Sequence, residues 1–233
     1  ALAAALTGKT AEYGYHLDEN RRAEVHIEVE TSIQGTNNFS ALGKVIGDKV
    51  KNKIPLITGV EKSSLEELKS FCASIATYGG TALFHMEGVT PETSTQQKPS
   101  EKIVVTDADI QSAIRELTDE AEVDFVSIGC PHCSIKEIAK ISELLKGQKV
   151  KKEVWITTAR STKSLADLMG YTRIIEDAGV KFACDTCCVV APIKGRFKTL
   201  CTDSAKGCFY GRGKNKFQTK LKSLEECIAE ALR

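Results

Sequence analysis

The residues best suited to chemistry lie in three loops, each of which follows an apolar stretch of sequence. Two of these loops carry thiols: residues 129–133 read Gly-Cys-Pro-His-Cys, and residues 184–188 read Cys-Asp-Thr-Cys-Cys. The third loop, residues 87–92, carries two glutamates and a threonine. Thiolates bind metals and exchange disulfides, whereas carboxylates transfer protons. A reactive site is therefore expected where these loops meet.

Spacing alone leaves three uses of the thiols open. Cys130 and Cys133 have the spacing of a redox dithiol at a helix N-terminus, where the helix dipole lowers a thiol pKa. The same pair can instead join Cys184 and Cys187 around a structural zinc ion. One cysteine from each loop can also bind an iron–sulfur cluster, whose open iron acts as a Lewis acid on a substrate hydroxyl. Four other cysteines are expected to be ordinary core residues: Cys72, Cys201, Cys208 and Cys227.

Alternating strands and helices must position these loops. Apolar segments predict strands over 25–29, 54–58, 81–86, 103–105, 123–128, 154–156 and 180–183. Helical periodicity and N-terminal capping residues predict helices over 41–50, 63–79, 106–117, 134–145, 164–177 and 223–232. Such alternation implies parallel sheets covered by helices on both faces.

We therefore predict an α/β fold with two lobes, residues 1–100 and 101–233, around one cleft. The polar stretch 90–101 is the expected linker or active-site loop, because it is flanked by prolines and shows no periodicity. In sheets of this kind, ligands bind beyond the carboxyl ends of the strands. The loops after residues 86, 128 and 183 are therefore expected to line the cleft.

Composition excludes several classes of protein. With 42% hydrophobic and 27% charged residues, the chain is neither disordered nor membrane-spanning, and no run approaches the ~20 apolar residues that cross a bilayer. A net charge of +1 gives no general sign of nucleic-acid binding. Nine cysteines, an odd number, without a signal-peptide pattern favour a reducing cytoplasm. The basic stretch 194–222 is typical of a solvated face or an anion-binding loop.

Several short motifs follow one another along nearly the whole chain. They are YGYHLDENR at 13–21, ALG at 41–43, LFHMEGVTPE at 83–92, GCPH at 129–132, DTC at 185–187, VVAP at 189–192, and SAK at 204–206 with Tyr210. In this order they resemble the large, catalytic subunit of the aconitase X family, a branch of the aconitase superfamily. The resemblance implies an aconitase-like fold with parallel or mixed sheets flanked by helices. The alanine-rich start resembles a point well inside the family's sequence, so we expect an N-terminally truncated subunit.

The resemblance also implies a function. Family members are dehydratases that remove water from a small hydroxy acid, such as mevalonate 5-phosphate or cis-3-hydroxy-L-proline. The implied cofactor is an iron–sulfur cluster, 4Fe–4S or 2Fe–2S, or a single iron, and the implied partner is a small swivelling subunit or domain. By position, Cys130 and Cys187 match two of three cluster ligands, and the third lies in an N-terminal segment that this sequence lacks. A zinc-stabilised binding module and a dithiol oxidoreductase are the alternatives.

Dehydration beside a carboxylate needs a base for the carbon-bound proton, an acid or metal for the leaving hydroxyl, and cations for the substrate anion. The candidate catalytic residues are His85, Glu87, Ser204 and Lys206. The resemblance places His16, Asn20, Arg21, Thr90 and His132 among the substrate-binding residues. His85 taken alone is more typical of a buried, hydrogen-bonded histidine, and His26 is expected at the surface. Neither nucleic acid nor a membrane is an expected partner.

Overall fold

The computed structural model describes residues 1–233 and contains two parallel β-sheets with helices packed against them. The strands are β1 (Val25–Val29), β2 (Pro55–Thr58), β3 (His85–Met86), β4 (Lys102–Val105), β5 (Phe125–Ile128), β6 (Glu153–Thr158), β7 (Lys181–Cys184), β8 (Thr199–Thr202) and β9 (Gln218–Leu221). Every neighbouring pair of strands is parallel. The predicted α/β fold is confirmed.

Nine α-helices accompany the strands. They are α1 (Leu2–Thr7), α2 (Thr36–Val50), α3 (Leu65–Gly79), α4 (Asp107–Glu116), α5 (Ile135–Leu145), α6 (Arg160–Leu168), α7 (Tyr171–Asp177), α8 (Ala205–Tyr210) and α9 (Leu224–Leu232). Short 3-10 helices occupy Gly14–His16, Asp18–Arg21 and Pro91–Thr95, and a π-helical turn occupies Gly211–Asn215. None of the helices combines the length and the apolar character that crossing a membrane requires.

The first sheet has the strand order β3-β2-β1-β4, and the second has the order β7-β6-β5-β8-β9. Because β4 pairs with β1, the predicted boundary between residues 100 and 101 falls inside the first α/β unit. The first unit instead ends after α4, and the second begins at β5. The polar stretch 90–101 connects β3 to β4 within that first unit.

The two units share an apolar interface. A cluster of 21 buried residues fills the first unit, and it includes Ala205, Cys208 and Leu221 from the second unit. A separate cluster of 18 residues fills the second unit. Helix α8 therefore packs its buried face against the first unit and joins the two.

Several local predictions were wrong for identifiable reasons. Gly170 adopts a left-handed conformation (φ 78°) and divides the predicted helix 164–177 into α6 and α7. The predicted strand 81–86 is reduced to His85–Met86. The capping box of α3 is formed by Ser64 and Glu67, so this helix begins at Leu65 rather than at residue 63. Cys72 is exposed rather than part of the core.

His26 is buried rather than exposed, because β1 lies between β2 and β4 and the imidazole packs beside Thr58 of β2. Only 6% of its surface is accessible, and its Nε2 lies 2.9 Å from Thr58 Oγ1. Burial lowers the pKa of this imidazole. The alternation of polar and apolar residues that predicted a surface position is therefore a misleading signal in a central strand.

Helices α2 and α3 pack unusually closely, at a pair of glycines. A Cβ atom on Gly47 would lie 2.8 Å from the backbone nitrogen of Gly79, and one on Gly79 would lie 2.7 Å from Gly47 Cα. Both obstacles are backbone atoms, which cannot turn aside as a flexible side chain can. The contact therefore requires glycine at both positions.

Replacing Gly47 with alanine is expected to lower the free energy of unfolding by about 2 kcal/mol, because the added methyl group forces the two helices apart. Gly213→Ala is the matched control, since a Cβ there meets no atom within 4 Å. Urea unfolding followed by circular dichroism measures both variants. Equal midpoints for Gly47→Ala and the parent chain would contradict the close helix contact.

Candidate active site

The two thiol loops meet at the carboxyl edge of the second sheet. Cys130 follows β5 and Cys187 follows β7, with β6 lying between these two strands. The Nε2 of His132, in the first loop, donates a hydrogen bond to the carbonyl oxygen of Thr186, in the second, at 2.9 Å. The Cys187 thiol is also close enough to raise the pKa of Cys130. Two cysteines 57 positions apart in sequence therefore face one site.

A third loop, which follows β8, completes this edge. Ser204 caps the N-terminus of α8 by accepting a hydrogen bond from the backbone nitrogen of Gly207 at 3.0 Å. Burial raises the pKa of Cys130 to about 11, while the nearby Lys206 ammonium and Ser204 hydroxyl lower it. The predicted residues Ser204 and Lys206 thus lie beside the predicted ligand Cys130. Lys206 is a partly exposed cation near the Cys130 thiol, and it can attract an anion there.

The neighbouring cysteines belong to the core. Cys133 and Cys188 are each 2% exposed, and burial raises the pKa of both thiols, that of Cys188 to about 12. In a redox dithiol the first cysteine must be an accessible thiolate with a lowered pKa, whereas burial raises the pKa of Cys130. The cysteines of the two predicted zinc knuckles likewise form no metal site, since no three Cys, His, Asp or Glu side chains are arranged to bind an ion. The geometry therefore argues against both alternatives.

The two thiols of this site match part of the ligand set that an iron centre needs. Thiolates are the protein ligands of iron–sulfur clusters, and Cys130 and Cys187 present two thiols to one site. No third Cys, His, Asp or Glu side chain joins them in an arrangement that could hold a metal, so an iron centre bound here would have two thiol ligands from this chain.

A buried carboxylic acid, Asp203, was not predicted and lies in the crevice beside Cys130. This small crevice is lined by Thr36 and Lys69 from the first unit and by Cys130 and Glu137 from the second. Asp203 is 6% exposed and accepts a hydrogen bond from the Thr36 hydroxyl at 2.9 Å. Burial raises its pKa to about 6. The available signal was that Asp203 is the single acidic residue among nine basic residues over 194–222.

A second group of predicted residues gathers at β3, in the first unit. The Arg21 guanidinium pairs with the Glu92 carboxylate, with Nε 2.8 Å from Oε2, and also donates to the Tyr15 carbonyl oxygen at 2.8 Å. His85 is 1% exposed, and its Nε2 donates to the carbonyl oxygen of Arg21 at 2.6 Å. Asn20 donates to a backbone carbonyl at 2.9 Å. These bonds fasten the 3-10 segment 14–21 to the edge of the sheet.

The remaining predicted residues of this group differ in exposure. Thr90 accepts a hydrogen bond from the Met86 backbone nitrogen at 2.8 Å, whereas His16 and Glu87 are exposed. No hydrogen bond or ion pair joins any member of the group to the thiol loops or to Lys206. The structure therefore brings the predicted site residues together as two groups, one in each unit.

Comparison with known families identifies these two units. A model described as the aconitase X second domain matches residues 23–115, and one described as the aconitase X third domain matches residues 123–233. The chain belongs to the aconitase X family. The gap between the two matches coincides with the link from α4 to β5, where the structure passes from the first sheet to the second.

Relatives of this aconitase X chain include named dehydratases. The phosphomevalonate dehydratase large subunit of Methanosarcina mazei is 41% identical, over 99% of this chain and 57% of that protein. The cis-3-hydroxy-L-proline dehydratase of Hypocrea jecorina is 32% identical, over 97% of this chain and 41% of that protein. The chain therefore spans about half the length of these relatives.

A solved structure has the same fold. The crystal structure of Thermococcus kodakaraensis aconitase X in its holo form superposes with a TM-score of 0.90 at 39% sequence identity. The match covers 99% of this chain and 60% of that one. The arrangement of both units is thus that of a known aconitase X.

Proposed function

We propose that this aconitase X chain is part of a hydro-lyase that removes water from a small hydroxy acid. The observation that carries the proposal is that the loops after β5, β7 and β8, which hold Cys130, Cys187, Ser204 and Lys206, lie at one edge of the second sheet. The names of the relatives support the reaction class. Identity is 41% to the phosphomevalonate enzyme of Methanosarcina mazei and 32% to the hydroxyproline enzyme of Hypocrea jecorina, so mevalonate 5-phosphate is the first substrate to test and cis-3-hydroxy-L-proline the second.

Two thiols and a cation have distinct tasks in this proposal. Cys130 and Cys187 would hold an iron–sulfur centre, or a single iron, which when bound supplies a Lewis acid for the leaving hydroxyl. Lys206 lies beside Cys130 and would bind the carboxylate or phosphate of the substrate. Ser204 is buried and fixed by its capping bond, so its hydroxyl is held at a set position near the thiols.

The group at β3 is proposed to shape the other wall of the substrate site. His16 and Glu87 are its exposed members and are therefore free to meet a ligand. Arg21, Asn20 and Thr90 are engaged with the protein itself, and His85 is buried against the backbone. We therefore assign proton transfer in this group to Glu87 rather than to His85.

A small subunit or domain is the proposed partner. The thiol edge offers two candidate ligands and no third, so a further body would complete the site and exclude water from it. We also propose the cytoplasm as the compartment, because free thiol ligands require a reducing environment.

The test is water loss measured with the assembled enzyme. The protein is reconstituted anaerobically with ferrous iron and sulfide, mixed with its small subunit, and given mevalonate 5-phosphate or cis-3-hydroxy-L-proline. Proton NMR then follows the alkene or enamine product. We expect one substrate to be dehydrated, and Lys206→Met to lower kcat/KM by about a hundredfold, because a cation beside the reacting anion is lost.

Lys220→Met is the matched control, since Lys220 lies on β9 in the same basic stretch and is also partly exposed. Its kcat/KM should match that of the parent. Failure of the iron-loaded assembly to dehydrate either hydroxy acid would overturn the proposed function. Equal losses of kcat/KM in the two lysine variants would show that Lys206 has no specific role in substrate binding.

A further inference from the structure

Helix α3 of the first unit contacts the loop that carries Cys130 in the second. The Lys69 ammonium donates to the carbonyl oxygen of His132 at 2.6 Å and to Glu137 Oε2 at 2.6 Å. One turn earlier on α3, Glu66 Oε1 accepts a hydrogen bond from the Ser134 hydroxyl at 2.9 Å. These three bonds all cross from one unit to the other and end within the loop or the first turn of α5.

The Lys69 contact is shielded from water. The side chains of Lys69 and Glu137 are 25% and 12% exposed, so their attraction is weakened less by solvent than that of a surface pair. The ammonium also donates to a loop carbonyl, a charge-assisted bond that a surface ion pair lacks. Removing Lys69 would take this donor away from the His132 carbonyl oxygen and would leave the Glu137 carboxylate without its cationic partner.

Glu137 links this lysine to the start of helix α5. Its Oε2 accepts from the Ser134 backbone nitrogen at 2.7 Å, while the Ser134 hydroxyl accepts from the Glu137 backbone nitrogen at 3.2 Å. This capping box fixes the point at which the loop becomes a helix. Lys69 therefore contacts both the loop itself, at His132, and the residue that anchors its end.

The second unit fixes the other half of the loop. The backbone nitrogen of Cys133 donates to the Thr157 carbonyl oxygen at 2.9 Å, and the Thr158 hydroxyl donates to the Cys133 carbonyl oxygen at 2.7 Å. Cys133 is thus held by two bonds to β6, in the second unit. The carbonyl of His132, two residues after Cys130, is held by Lys69, in the first unit.

We propose that Lys69 is a positioning residue for the Cys130 thiol, acting through the carbonyl of His132 and the carboxylate of Glu137. The first unit would then set the placement of a ligand that belongs to the second. The inference rests on the proposed function for its purpose, whereas the placement of the thiol can be measured without iron, substrate or partner.

The test compares how fast each cysteine of the native, metal-free chain reacts with iodoacetamide. Peptide mass spectrometry gives a separate rate for every thiol. In Lys69→Met, we expect Cys130 to react about tenfold faster, because loss of a charge-assisted bond increases the opening of the loop. Lys69→Arg should restore the parent rate, since arginine also donates to a carbonyl and a carboxylate. Lys49→Met is the matched control, as it breaks the Lys49–Asp109 ion pair inside the first unit.

Other thiols distinguish local loosening from general instability. Cys201, Cys208 and Cys227 are fully buried, with Cys208 in the cluster shared with the first unit, so they react only when the second unit opens or the two units separate. If Lys69 only stabilised the fold, Lys69→Met would speed the reaction of these three cysteines with iodoacetamide together with that of Cys130. This result would overturn the proposal. An unchanged Cys130 rate in Lys69→Met would do the same.

A second variant keeps the test informative if Lys69→Met does not fold. Glu137→Gln retains an oxygen for the capping box but removes the charge that attracts Lys69, so Cys130 should react about threefold faster. Absence of this acceleration would overturn the role of Glu137. Because these rates need no bound iron, a chain that fails to catalyse dehydration can still confirm the positioning role.

Discussion

Replacing Cys187 with alanine is expected to lower iron binding by about a hundredfold or more. Loss of a group that merely orients a metal ligand costs 10- to 100-fold in affinity, and loss of a ligand itself should cost at least as much. Cys130→Ala should have the same effect, because both thiols face one site. Anaerobic reconstitution followed by iron and sulfide analysis, with visible absorption spectra, measures the retained iron for each variant.

Cys72→Ala provides the control for this experiment. Cys72 is an exposed thiol on α3, so its loss removes a reactive sulfur without touching the thiol loops. The iron content of this variant should equal that of the parent. Equal iron contents in Cys72→Ala and Cys187→Ala would mean that iron binds elsewhere. Zinc at one equivalent per chain after purification would instead favour the zinc-binding alternative.

The elements that depend on local sequence were predictable. The capping boxes at Ser134 and Ser223 lie where the Ser-x-x-Glu pattern predicts, because a capping box joins residues only three positions apart. The apolar strands of a buried parallel sheet are equally visible as short uninterrupted runs. The loops that follow β5 and β7 could therefore be located from the sequence, and with them Cys130 and Cys187.

The elements in the basic stretch were missed. Strands β8 and β9 and helix α8 are four to six residues long and lie among lysines and glycines that obscure their periodicity. Asp203 was missed as well, because its chemistry depends on its burial between the two units, which no local pattern in the sequence reveals. Ser204 and Lys206 were predicted as site residues from the family resemblance alone, which did not indicate which residues they contact.

Contacts between residues far apart in the chain also could not be predicted from the sequence. Arg21 was predicted to bind a substrate anion, yet its guanidinium pairs with Glu92, a residue 71 positions away. Nothing local to either residue reveals that partner. The pairing of β4 with β1 is similar, because a strand that follows a polar loop can join either sheet, and the choice is made by packing of α4 against the first unit.

Replacing Asp203 with asparagine is expected to make the chain more stable near neutral pH, by about 3 kcal/mol in the free energy of unfolding. Burial raises the pKa of Asp203 from 3.8 to about 6, so the folded state holds its proton more tightly than the unfolded state does. As the pH rises from about 4 to about 6, the unfolded chain loses the proton first, and the parent is destabilised. Above pH 6 the cost is constant, because both states are ionised.

The pH dependence of the difference in unfolding free energy between Asp203→Asn and the parent isolates the ionisation of the Asp203 carboxyl group. Urea unfolding at pH 4.5, 5.5, 6.5 and 7.5 should show the stability gap widening up to about pH 6 and then remaining level. The asparagine oxygen can still accept the Thr36 hydrogen bond, so a change in that contact adds an offset that does not vary with pH. Asp177→Asn, at an exposed position at the end of α7, is the control, and it should show no such widening. Parallel curves for Asp203→Asn and the parent would mean that water reaches this carboxyl group, and that the crevice between Cys130 and the first unit is open rather than closed.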